Sequence, residues 1–70
     1  PGDPVSIRPD AEAAEVVVTT PDGARHKFPV GDAPLVFVAT DRLGPYSVEH
    51  LDSSGTVLRT AFFAVNLLDE

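Results

Sequence analysis

Seventy residues make one domain, and a chain this short buries only about 60% of the surface that its unfolded form exposes. With no Cys and no Cys/His cluster, neither a disulfide nor a zinc staple reinforces it, so the fold rests on an apolar core or on packing against neighbouring sequence. A net charge of −6, from eleven acids against five bases, argues against binding to nucleic acid or anionic lipid, while a hydrophobic content of 43% argues against disorder.

Along the chain, Pro1-Gly2-Asp3-Pro4 is a stiff lead-in. Val5-Ser6-Ile7-Arg8 alternates apolar and polar and stops at Pro9, which predicts a short edge strand. Residues 10–14 have helical composition but are too few to stand as a helix, and are read as a turn. Glu15-Val16-Val17-Val18-Thr19-Thr20 is rich in β-branched residues, whose stiff χ1 suits a pleated surface. Pro21-Asp22-Gly23 then predicts a hairpin turn: Pro presets φ, Asp favours turns and Gly takes the left-handed position. In the returning strand Ala24, His26, Phe28 and Val30 share one face, Arg25 and Lys27 share the other, and Pro29 marks a sheet edge.

The apolar run 35–39 predicts a buried strand. Thr40-Asp41-Arg42-Leu43-Gly44-Pro45-Tyr46 reads as a corner feeding a strand in which Tyr46, Val48 and His50 alternate with Ser47, Glu49 and Leu51. Asp41 is expected to cap this corner, Gly44 to allow a close approach, and Tyr46 to bury its ring while its hydroxyl bonds nearby backbone, as in the tyrosine corner of sandwich domains. Asp52-Ser53-Ser54-Gly55 closes a second hairpin. The last strand, 56–67, shifts its pattern near Ala61-Phe62-Phe63, where a bulge or a change of sheet is expected.

Six strands and no helix predict a small immunoglobulin-like antiparallel β-sandwich. Its expected core is Val16, Val18, Phe28, Val30, Phe37, Tyr46, Val48 and Leu58, with either Phe62 or Phe63. The apolar runs 35–39 and 61–65 fall far short of the roughly 20 residues that span a bilayer, so this segment is not expected to insert into a membrane. Residues 1–70 read as a single domain cut from a longer chain, with any targeting signal lying outside it.

Chemistry-bearing motifs are scarce. His26 and His50 lack metal-ligand spacing, and Glu49 points to the opposite face of the strand from His50, so both are read as partly exposed strand histidines. Asp3, Asp22, Asp32, Asp41 and Asp52 sit in or beside turns without the alternating loop that binds calcium. Ser6, Ser47, Ser53 and Ser54 have no nucleophile elbow, and no glycine cluster cradles a phosphate. No enzyme, cofactor or metal is therefore expected. Phe62 and Phe63 face opposite ways in a regular strand, so one is core and the other either fills a second layer or forms an exposed apolar contact point, a candidate interface residue.

Asp41, Gly44, Tyr46 and Val48 resemble the Asp-x-x-Gly-x-Tyr-x-Val corner in the terminal β-domain of bacterial membrane proteins that carry a von Willebrand factor A-like domain, the aerotolerance-regulator-like group. Phe63-Ala64-Val65-Asn66-Leu67, followed by Leu68 in place of an aromatic and then Asp69-Glu70, is similar to that group's closing signature, and the 16–30 segment to its hairpin. The resemblance implies an extracytoplasmic module near a transmembrane helix. The metal-binding Asp-x-Ser-x-Ser motif of the von Willebrand domain is absent, and the resemblance assigns no activity to the β-module. The expected function is that of a non-enzymatic spacer or protein-interaction domain, whose partner is its own parent chain or another subunit. A small carbohydrate- or cell-wall-binding module is the alternative.

Overall fold

Two tight turns lay out the larger sheet. In the computed structural model, which describes residues 4–32 and 34–65, Thr20-Pro21-Asp22-Gly23 and Asp52-Ser53-Ser54-Gly55 each close with a backbone bond from the glycine N–H, at 2.9 and 3.0 Å. Gly23 and Gly55 sit at φ 92° and 88°, a conformation that costs a glycine nothing and suits the last residue of a three-residue hairpin loop.

The strands are β1 (Val5–Ile7), β2 (Glu15–Thr19), β3 (Arg25–Pro29), β4 (Leu35–Phe37), β5 (Gly44–Leu51) and β6 (Val57–Val65). All pairings are antiparallel. β1 and β4 form a two-stranded sheet, and the other four strands lie in the order β3-β2-β5-β6. In immunoglobulin lettering, β1 and β4 take the places of strands B and E, and β3, β2, β5 and β6 those of C′, C, F and G. The fold is an all-β, immunoglobulin-like sandwich, with six strands among the described residues.

Alternation puts Val16, Val18, Tyr46 and Val48 on the inner face of the large sheet, where they bury against Phe37, with Ile7, Leu35, Phe28 and Phe63 packed around them. Phe37 ties the two sheets together. Its ring meets His26, Phe28 and Tyr46 edge-on at 5.3, 6.0 and 6.1 Å, and Tyr46 stacks on Phe63 at 4.8 Å.

Several expectations change. The 35–39 run is a strand only over Leu35–Phe37, and Val36 and Val38 are exposed because no described residue covers the outer face of the two-stranded sheet. The irregularity in β6 pairing lies at His50/Leu51 rather than near Phe62: Val57 pairs with Leu51 and Arg59 with His50, which leaves Leu58 as the extra residue. That shift turns Leu58 out of the expected core. Val17, on the outer face, is fully buried. The Arg25–Glu49 ion pair spans β2 from its two neighbours there, and the stems of such long side chains cover apolar surface beneath them. Asn66 and Leu67, expected at the end of the last strand, lie outside the described residues.

Candidate functional site

The tyrosine corner is built from local turn chemistry. Tyr46 is fully buried, and its hydroxyl donates to the Arg42 carbonyl at 2.7 Å while accepting from the Arg42 N–H at 3.2 Å. Gly44, at φ 122°, lets the chain pass Pro21, whose Cβ would lie 3.2 Å from any Cβ added at position 44. Asp41 does not cap this corner: it is exposed and its carboxylate takes no hydrogen bond among the described residues. Arg42 instead ties the corner to the first hairpin through Asp22, at 3.5 Å.

Asp22 and Asp52 clasp the two hairpins. Asp22 accepts the Thr20 hydroxyl, and this bond, reinforced by Arg42, holds its carboxyl below the usual 3.8. Asp52 accepts the Ser54 hydroxyl at 2.7 Å and the N–H groups of Ser54 and Thr56, which lowers its pKa likewise. Ser54 thus serves a turn. Among the described residues no group of three His, Asp or Glu is placed to hold a metal.

The two histidines part company. His26 is half-buried on β3 and packs edge-on against Phe37. His50 is only 2% exposed, against the expectation of a partly exposed ring. Its Nδ1 accepts the Asp10 N–H at 3.1 Å, and its Nε2 lies 3.4 Å from Arg59 Nη2. Burial pushes its pKa below the ordinary 6.5, the Arg59 charge lowers it further, and Asp10 offsets part of this. Burial and the Arg59 charge both favour the neutral imidazole.

Phe62 and Phe63 separate as their adjacency requires. Phe63 pairs with Tyr46 on the inner face and packs on the core, whereas Phe62 pairs with Ser47 on the outer face and is 73% exposed. Both belong to β6, a sheet edge of nine residues whose only charge is Arg59. Beside it, between β1 and β6 on the open side of the sandwich, runs a groove of about 320 Å³ with Ile7, Val48, Ala61 and Phe63 along it. Its polar end holds Arg8, His50 and Arg59, and Arg59 Nη2 lies 3.5 Å from the Arg8 carbonyl. His50 and Arg59 are cross-strand partners on β5 and β6, and Arg8 follows β1 in the other sheet, so the three lie 9 to 51 positions apart and no sequence spacing flags them.

A model of the family described as a domain of unknown function (DUF8816) matches residues 1–65. No curated protein and no solved structure matches the chain.

Proposed function

The chain belongs to the DUF8816 family, a domain of unknown function, and we propose that it is a non-enzymatic accessory module whose work is protein–protein contact along β6. The observation that carries this reading is the contrast between the two edges of the large sheet. β3 has Arg25, Lys27 and Pro29, the residues with which natural sheets blunt an edge against further pairing. β6 is long, nearly uncharged and free of proline, and it displays Phe62. An edge of that kind accepts another strand through its unpaired backbone groups.

The proposed setting is the extracytoplasmic side of a bacterial membrane, within a protein carrying a von Willebrand factor A-like domain. It rests on the sequence resemblance of Asp41, Gly44, Tyr46, Val48 and the 63–67 segment. Among the described residues no helix is long and apolar enough to cross a membrane. A carbohydrate-binding role is the weaker reading, because the single Tyr is fully buried and there is no Trp to offer a stacking surface.

Site-specific photo-crosslinking in the native cell tests the proposal. A photoreactive phenylalanine analogue at position 62 is expected to yield protein adducts, and one at position 27, on the guarded edge, is not. Equal yields at both positions, or none at 62, would sink it.

A further inference from the structure

His50 carries a hydrogen-bond imbalance that bears on what β6 docks; the argument rests on the reading of β6 as a contact edge. Two groups approach the buried ring, the Asp10 N–H and the Arg59 guanidinium, and both can only donate. A neutral imidazole offers one acceptor nitrogen. The shorter contact, 3.1 Å, assigns that role to Nδ1 and places the proton on Nε2, where it faces Arg59 Nη2 at 3.4 Å. The Nε2–H therefore has no acceptor among the described residues, although buried polar groups in proteins are nearly always bonded.

The charges beside it sit on exposed side chains and lack a carboxylate partner among the described residues. Arg25 and Arg42 each have a carboxylate partner, Glu49 and Asp22, but among the described residues Arg8 and Arg59 have none. The carboxylate acting on His50 is that of Asp10, whose Oδ1 already accepts the Glu12 N–H at 3.0 Å. Donors thus converge at one end of the groove with no carboxylate between them and only the Arg8 carbonyl, 3.5 Å from Arg59 Nη2, as an acceptor, and the groove beyond that end is apolar apart from Ser6.

We infer that this end is a carboxylate-binding site, and that its occupant is an extended segment of a partner protein lying along β6. An Asp or Glu side chain of that segment takes up the donors of His50 and Arg59, with Arg8 beside them, and its apolar side chains line the groove. A single carboxylate suits the place better than a polyanion, which the net charge of −6 repels. A second copy of β6 does not fit, since Val57–Val65 contains no acid and would set Arg59 against an uncharged strand.

Titration of the whole chain with isocaproate, which joins one branched apolar group to one carboxylate, tests the site, with isocaproamide as the neutral control. Nitrogen-15 NMR of the imidazole is expected to show the Nε2–H tautomer and a shift of Nε2 with the acid alone. Arg59→Gln is expected to weaken isocaproate binding by about tenfold, the loss of one charge-assisted bond, and Arg8→Gln to weaken it in the same direction. The peptide acetyl-Val-Leu-Val-Asp-amide is expected to move the β6 amides and to bind about tenfold more tightly than its Asn version. Equal responses to acid and amide, or an unchanged affinity in both Arg variants, would overturn the carboxylate site. If the Asp and Asn peptides perturb β6 equally, the carboxylate site falls and the docking edge survives. If isocaproate binds but neither peptide moves the β6 amides, the extended occupant is wrong. Crosslinking at position 62 reads the edge without reference to the carboxylate, so the two readings fail separately.

Discussion

Tyr46 is the residue whose role can be isolated most cleanly, because its ring and its hydroxyl do different work. The ring fills the core between Phe37 and Phe63, and the hydroxyl makes two bonds to Arg42. Tyr46→Phe keeps the first and deletes the second. Arg42 is exposed, so water replaces part of what is lost, and the expected cost is about 1 kcal/mol. In a domain of this size that lowers Tm by roughly 4–8 °C, which a thermal melt resolves, and a Tm within a degree or so of the parent would remove the corner from the list of stabilising features. His50 predicts a pH effect whose sign follows from its lowered pKa. Below the ordinary value of 6.5 the unfolded chain binds a proton that the folded ring still refuses, so stability falls as pH drops from about 7.5 towards 5.5. Asp22 and Asp52, also lowered, act in a different window: their contribution is present above about pH 4 and is lost as pH falls further. Denaturant melts across the neutral window should show the first loss in the parent chain and not in His50→Gln. A slope that persists in the variant would assign it elsewhere.

At the scale of elements, the sequence carried what local chemistry decides and missed what pairing decides. The hairpin turns were legible because Pro-Asp-Gly and Ser-Ser-Gly each specify a backbone path within four residues. The corner was legible for the same reason, since Tyr46 reaches only as far as Arg42. β4 is shorter than the apolar run 35–39 because such a run signals burial on both faces only where something covers both, and the outer face of a two-stranded sheet has no such cover among the described residues. Alternation separated Phe62 from Phe63 but could not say which faced inward, since one residue of register reverses every side chain. The shift opposite Leu58 is such a step. It also sets Arg59 against His50, which is why the polar end of the groove had no signature in the sequence. Asp41 does not act as a cap, and the contact that holds the corner is instead the pair of bonds between the Tyr46 hydroxyl and the Arg42 backbone.

Across the whole molecule, stability cannot be spread evenly, because the two sheets are so unequal. β2 and β5 are central strands, paired on both sides, with Val16, Val18, Tyr46 and Val48 at the heart of the core. β1 and β4 are three residues each, bonded to one neighbour apiece, and held down chiefly through Ile7, Leu35 and Phe37. Segments with few buried contacts and short ladders open locally at a fraction of the global free energy. Native-state hydrogen exchange over a denaturant series should therefore place the β2 and β5 amides at the global unfolding free energy, and the β1 and β4 amides in a separate, lower-energy opening. A single free energy for all four strands would mean that Phe37 and its ring partners lock the small sheet as firmly as the large one. The distinction bears on function, since β1 forms one wall of the groove and β6 the other. A strand bound along β6 with side chains against Val5 and Ile7 would order the weaker wall, so protection of β1 should rise on binding while β2 and β5, already at the global limit, gain only the stabilisation that binding gives the whole fold.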